Sequence, residues 1–553
     1  MPSVDTASAI LESLDALGVT HVLYCPGSRS APFAYALEAG SFRGDARPIL
    51  DERGAGFAAV GLARTGGLPA VVVTSGTAVA ELAPAVLEAS HARLPLLLLT
   101  ADRPGELRGV GASQATDQSG FFGTHVRASV DLEPQEASPS LVGHLARAVA
   151  AACGAPSGAP GPVQVNVAFR DSLTPVRPAC DCGDEAGASF VPRPTRVLAA
   201  PAVPVPWEDV VGPAAAGLIV AGEGASPRAR EWSAASGFPL LAEPASGAWS
   251  GGGVTPFEQT LVASSLGSEV DAVVVTGRPT LSRPIQALLA RPDVRVVVVD
   301  PHAPWVDISG NAAVVVADLE PAREPIRAAQ AEWAARVRDA AREAGGRIES
   351  LLASGSGRTM LDLARAVAAS TSGPLVLGAS NPVRAFDLAV PALGGRVVHS
   401  NRGQAGIDGT IATAVGICLG SGYAGEISAP AGERVTAVIG DLTACHDASS
   451  LALAASAGAH LDIVVADDQG GGIFATLEHG RATSPEAYER WFGLAQSVDY
   501  EALAAAYGVA FARAETPAQL AQLLETGEAG PRLVHAPVER AAHLYPAVHD
   551  VLS

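Results

Sequence analysis

Strand-length apolar runs recur along the chain and alternate with Ala-rich stretches of helical spacing: HVLYC (21–25), AVVVTSG (70–76), LPLLLLT (94–100), PVQVNVA (162–168), GLIVAG (217–222), DAVVVTG (271–277), VRVVVVD (294–300), PLVLG (374–378), RVTAVIGD (434–441) and LDIVVADD (461–468). A strand with one wet face alternates apolar and polar residues. These runs do not alternate, so both faces must be covered, which is the pattern of parallel sheets with helices on each side. The expected fold class is therefore α/β, with doubly wound parallel sheets. Polar or Gly-rich turns follow most of the runs, and open sheets of this kind bind ligands beyond the carboxyl ends of their strands.

Two breaks divide the pattern. Residues 175–206 are rich in Pro, Ala and acidic side chains without periodicity and read as a linker, and a second break falls at 353–357 after the long helical segment 323–352. Three domains are expected, at 1–180, 200–350 and 357–553. The first and third echo each other: ERGAGFAAVGLA (52–63) resembles NRGQAGIDGTIATA (401–414), each followed by a strand ending in Gly, an Ala-rich helix and a second strand. The offset, 401 minus 52 or 349 residues, is too long for a solenoid period, so the echo points to two related domains flanking a different one. The opening segment reads as an amphipathic helix with Ile10, Leu11, Leu14 and Leu17 on one side, not as a signal peptide. The apolar runs fall well short of the roughly 20 residues that span a bilayer. A cytoplasmic protein with no membrane partner is expected.

The charge balance narrows the chemistry. There are 57 acidic and 37 basic residues, a net charge of −20, which argues against a nucleic-acid partner. Every basic residue is Arg, so the chain has no lysine for a Schiff base or a P-loop. Any anion is held by Arg, whose planar fork suits carboxylates and phosphates. The six cysteines, Cys25, Cys153, Cys180, Cys182, Cys418 and Cys445, have no zinc-site spacing and read as reduced.

In VTAVIGDLTACHD, Asp441 follows a buried strand at the start of a helix, and 468 minus 441, or 27, residues later a second strand ends in ADDQGGGIF. Two strand-end carboxylates beside a run of glycines form an oxygen-rich pocket suited to a divalent cation bridging the protein to a diphosphate. The expected metal ligands are the Asp441 and Asp468 side chains and the Gly470 carbonyl. Separately, each Asp also fits a helix cap or a turn.

As a pair, these segments resemble the diphosphate and Mg²⁺ motif of thiamine diphosphate enzymes, with Leu442 in place of the usual second Gly and Asp467-Asp468 in place of an Asn pair. The resemblance implies a pyrimidine-binding first domain, a central domain and a diphosphate-binding third domain. It implies cofactor contacts at Ser380, Gly440, Asp441, Leu442, Asp468, Gly470, Gly471, Ile473 and Phe474, with Ile407 as an apolar wedge. It also implies that Glu52, in ARPILDERGAGF, hydrogen-bonds the aminopyrimidine and activates it; Asp51 is the rival carboxylate.

YCPGSRSAP (24–32), DERGAGF (51–57), TSGTAVAELAPAVLEA (74–89), TADRPGEL (100–107), GASQ (111–114), GASNPVR (378–384), NRGQAGIDG (401–409), GDLTACHD and GGGIF are together similar to the 2-succinyl-5-enolpyruvyl-6-hydroxy-3-cyclohexene-1-carboxylate synthase family of menaquinone biosynthesis. That resemblance implies decarboxylation of 2-oxoglutarate and addition of the succinyl unit to isochorismate. It implies thiamine diphosphate with Mg²⁺, or Mn²⁺ in its place, and a homodimer or homotetramer with sites shared between subunits. Carboxylate contacts are then expected at Arg29, Arg103, Arg384 and Arg402, with Ser28, Gln114 and Ser380 as hydrogen-bonding partners and Arg283 from the middle domain. Phe474, Leu477, Tyr488, Trp491 and Phe492 read equally as a cover over the site or as core. Another thiamine diphosphate enzyme, such as an acetolactate synthase-like protein, and a non-catalytic descendant of the fold are the alternatives.

Overall fold

The computed structural model describes residues 3–175, 192–249, 252–391, 393–421 and 433–552; Cys180, Cys182 and the middle of the 175–206 segment lie outside them. The chain forms two compact units, residues 1–200 with 412–430, and residues 201–411 with 431–553.

The first unit is built on six strands, β1 (His21–Tyr24), β2 (Asp45–Pro48), β3 (Pro69–Val73), β4 (Leu96–Asp102), β5 (Ser129–Leu132) and β6 (Pro162–Ala168), in the order β2-β1-β3-β4-β6-β5. Every ladder is parallel. β3, β4 and β6 are buried along their whole length, as continuous apolar runs require. The opening helix Ser3–Ala16 buries Ile10, Leu11 and Leu14 in this core. Helix Glu52–Arg64 is buried from Gly54 to Ala63. Its Gly61 leaves room for the backbone of Thr413 and Gly416 in helix Thr410–Gly420, and Gly416 lies against Ala58; a Cβ at either glycine would overlap main-chain atoms. The small residues of ERGAGFAAVGLA therefore serve a backbone-to-backbone helix contact.

In the second unit, β7 (Pro204–Val205) pairs with β13 (Asp318–Leu319). A central parallel sheet contains β8 (Gly217–Ala221), β9 (Leu240–Ala242), β10 (Ala272–Thr276), β11 (Arg295–Val299) and β12 (Ala312–Val316), ordered β12-β11-β10-β8-β9. A further sheet contains β14 (Leu375–Leu377), β15 (Val398–His399), β16 (Val435–Gly440), β17 (Leu461–Asp467), β18 (Ala510–Arg513) and β19 (Arg532–Pro537). Its order, β15-β14-β16-β17-β19-β18, repeats that of the first unit strand for strand, and all its pairings are parallel. The echo between 52–63 and 401–414 thus has a topological counterpart. No helix among the described residues is long and apolar enough to cross a membrane.

Candidate active site

Beyond the carboxyl ends of β14, β16 and β17 lies a cavity of about 320 Å³. Ser380, Arg384, Arg402, Ile407, Gly440, Asp441, Leu442, Asp468, Gly470, Gly471, Ile473 and Phe474, separated by up to 94 residues in sequence (474 minus 380), all line it. β16 ends at Gly440, and Asp441 opens the short helix Asp441–His446. Its Oδ1 accepts from the Leu442 amide at 2.8 Å and its Oδ2 from the Gly470 amide at 2.6 Å, tying the two strand ends together.

The paired Asp residues after β17 diverge. Asp467 accepts from the Gln469 amide and meets His535 Nε2 at 2.9 Å, and this contact holds its carboxyl below the usual range. Asp468 faces the cavity; burial, then the Asp441 charge, pushes it up to about 7. Burial, reinforced by Asp467, also raises Asp441, to about 6. Arg540 only partly offsets these two raised carboxylates, and a hard cation would supply the remaining counter-charge.

The glycine run beside them cannot bear side chains. A Cβ on Gly470, which has φ +127°, would meet the Gly493 carbonyl, and one on Gly472 would meet Asp468. Tyr488 Oη donates to the Gly471 carbonyl at 2.8 Å, and Arg540 donates to the Asp468 carbonyl at 3.2 Å. The donor set and the bare glycine backbone fit a Mg²⁺-diphosphate group. Tyr488 is buried and packs with Phe474 around Phe492, whereas Trp491 is exposed.

The cavity's other end is cationic. Arg402 is buried, donating to the Ala379 carbonyl and Thr280 Oγ1, each at 3.2 Å. Arg384 donates to the carbonyls of Ala379 at 3.2 Å and Ser380 at 2.8 Å. Burial and the Arg402 charge push Arg384 down to about 10. Two guanidiniums crowded onto one carbonyl favour an anion between them. Arg283 does not line this cavity; its exposed side chain pairs with Glu478 at 3.3 Å. Asn381 and Met360, which sequence reasoning did not single out, do line it, and Asn381 Oδ1 is buried without a hydrogen bond. The GASNPVR segment that contains Asn381 was the available signal.

In the first unit, Arg103 Nη1 donates to Ser75 Oγ at 2.6 Å and to the Gln114 carbonyl at 2.8 Å, while Gln114 Nε2 donates to the Ser75 carbonyl at 2.9 Å. Arg29 donates to the Phe169 carbonyl at 2.9 Å; burial, then nearby Arg103, lowers its pKa. Ser28 precedes it, exposed, in the turn after β1. Ser75 joins Arg103 to Gln114 and was missed as a residue, although its TSGT segment was noticed. Glu52 is half-buried at the first turn of helix Glu52–Arg64, and the rival Asp51 is the helix cap, accepting from the Gly54 amide at 3.2 Å. Burial drives the neighbouring Cys25 thiol up, and the Glu52 and Asp51 charges drive it further.

A carboxylate opening a helix in one doubly wound unit, and a carboxylate-glycine cradle at the strand ends of another, define a thiamine diphosphate enzyme. Residues 4–121 match the thiamine pyrophosphate enzyme N-terminal TPP binding domain, and residues 390–536 match the C-terminal TPP binding domain. Proteins named 2-succinyl-5-enolpyruvyl-6-hydroxy-3-cyclohexene-1-carboxylate synthase are similar over nearly the full chain. That of Kineococcus radiotolerans is 42% identical, with 96% of this chain and 95% of that one covered. Those of Nocardioides sp. and Renibacterium salmoninarum are each 39% identical, covering 97% and 98% of this chain and 95% of theirs. The chain belongs to the 2-succinyl-5-enolpyruvyl-6-hydroxy-3-cyclohexene-1-carboxylate synthase family.

Proposed function

We propose that this chain decarboxylates 2-oxoglutarate and adds the remaining succinyl unit to isochorismate, in menaquinone biosynthesis in the cytoplasm. The observation that carries the reading is the single cavity in which the Asp441-Asp468 pair and the Arg384-Arg402 pair meet. Thiamine diphosphate, when bound, supplies a carbon centre that adds to the keto group of a 2-oxoacid and accepts the electrons released with CO₂. Asp441, Asp468 and the Gly470 carbonyl would hold its diphosphate through Mg²⁺, or Mn²⁺, and Ile407, Ile473 and Phe474 would wall its ring.

Glu52 acts as the proton-handling group at the aminopyrimidine N1′. Arg384 and Arg402, with Ser380, take substrate carboxylates at one side. Arg29 and Arg103, with Ser28 and Gln114, take them at the other; Arg283, exposed and paired with Glu478, is left outside this set. Both substrates are carboxylates, so a lysine-free chain meets them with bidentate Arg. Phe474 and its aromatic neighbours exclude water, which would otherwise protonate the carbanion equivalent.

We assign the pyrimidine-binding role to 1–180, the central role to 200–350 and the diphosphate-binding role to 357–553. Glu52 and Asp441 belong to different compact units, and a homodimer, alone or paired into a tetramer, completes each site. Support comes from the exposed apolar residues Leu50, beside Glu52, and Val110, in the loop that carries Arg103 and Gln114. Cys25, Cys153 and Cys445 form no disulfide among the described residues, which suits a reducing compartment. The test is purified protein with Mg²⁺ and thiamine diphosphate, given 2-oxoglutarate with and without isochorismate. Coupled loss of both substrates is expected, and isochorismate left unconsumed refutes the reading.

A further inference from the structure

We infer that the second unit holds another ligand site, separate from the catalytic cavity and built for a dianion with an apolar body. It is a cleft of about 530 Å³, larger than the catalytic cavity and of small-molecule size. Helix Ala328–Ala353 contributes Arg338, Arg342 and Glu349 to its lining, and helix Met360–Ser370 contributes Arg365. Val254, Pro256, Phe257 and Ile348 make the apolar part.

Charge is the first argument. Arg338 and Arg365 form no ion pair with any described residue, and Arg342 meets only Asp339, at 3.0 Å, with both side chains well exposed. Asp339 offsets Arg342, which leaves Arg338 and Arg365 against Glu349, the one carboxylate in the lining, in a chain whose net charge is −20. An exposed Arg alone is usually only solvated. Two of them with an apolar surface between form a receptor for paired anionic groups.

The backbone gives two independent arguments. Gly345 and Gly346 lie side by side within a 26-residue helix, where glycine weakens helical structure. A Cβ on Gly345 would come within 3.1 Å of the Phe257 ring, which accounts for the first; no atom lies within 4 Å of a Cβ on Gly346, so packing within the chain does not require the second. The space it leaves is the cleft. Phe257 has φ 61°, a left-handed conformation uncommon for a bulky residue, and such strain collects where ligands are gripped.

The test is calorimetric titration of the full-length protein with isophthalate, a rigid aromatic dicarboxylate, with and without saturating 2-oxoglutarate, a dianion that lacks the apolar body. Isophthalate should bind at one site that persists in the presence of 2-oxoglutarate. The double variant Arg338→Ala, Arg365→Ala should weaken that binding at least about tenfold. Gly346→Leu fills the opening and should abolish binding while leaving the thermal midpoint unchanged or higher, because it places a strong helix former in the helix. Absence of saturable heat, full displacement by 2-oxoglutarate, or unchanged affinity in both variants would overturn the inference. Because neither variant touches the catalytic cavity, a failure of the proposed reaction is read separately, in the turnover assay.

Discussion

The first sheet and the last run their strands in the same order, yet corresponding strand ends carry different chemistry. After β1 come Ser28 and Arg29, and after its counterpart β14 come Ser380 and Arg384. Glu52 follows β2 where Arg402 follows β15; Ser75 follows β3 where Asp441 follows β16; Arg103 follows β4 where Asp468 follows β17. Topology sets four positions in each half, and the side chain placed there decides what the position does. Burial differs as well: Asp441 is 3% exposed and raised to about 6, while Glu52 is half-buried at a helix start. One half is proposed to hold a cation and diphosphate, and the other a carboxylate that exchanges a proton.

The comparison can be broken experimentally. Glu52→Gln keeps the shape but removes the proton-handling group, so turnover should fall about 10³-fold with thiamine diphosphate affinity nearly unchanged. A near-normal rate would deny Glu52 its role. At the opposite end of the last sheet, Asp462, 1% exposed, meets Arg434 at 2.6 Å and Arg532 at 2.8 Å. Asp462→Asn leaves the buried Arg532 and the partly buried Arg434 without their carboxylate and should cost about 3 kcal/mol in urea unfolding. Retained stability would mean that the ion triad does not clamp the sheet.

Asp441→Ala should weaken Mg²⁺-dependent thiamine diphosphate binding by at least about tenfold by titration calorimetry. Equal affinity would leave the two halves of the molecule without the proposed division of labour.

The smallest effect expected is one of pH. Burial raises Glu243 to about 8 and Asp387 to about 7, and raises Glu258, whose two oxygens have no hydrogen-bond partner. A raised acid binds more protons folded than unfolded, so its contribution destabilises progressively as pH rises from the ordinary 4.5 of a glutamate to about 8. Glu258→Gln should flatten that decline, measured as the difference between denaturation midpoints at pH 5 and pH 8. An unchanged slope would mean that Glu258 does not titrate in this window.

Much of the fold is legible in the sequence because a strand covered on both faces must be apolar throughout: each of the ten runs contains a strand. The strands without such a run show why legibility ends. Asp45–Pro48, Ser129–Leu132, Val398–His399 and Ala510–Arg513 are short edge strands. Arg532–Pro537 is interior but contains Arg532 and His535, which are buried only because Asp462 and Asp467 meet them. The Asp441-Asp468 pair is readable as two strand-end carboxylates. Arg384 and Arg402 were reached through family resemblance, since nothing local distinguishes them from solvated arginines. Of the two adjacent aspartates the sequence pointed to Asp468, but the reason it faces the cavity lies in the fold: His535, 68 residues from Asp467, holds that one and leaves Asp468 to the site.

Alone, the order of residues determined an α/β architecture, the absence of lysine chemistry and the strand ends at which ligands gather, because these depend on near neighbours and composition. Tertiary structure decided which charged groups are buried, which are paired and which converge on a shared space. The free energy of burying a charge depends on partners brought in from distant parts of the chain, and those are known only once the chain has folded.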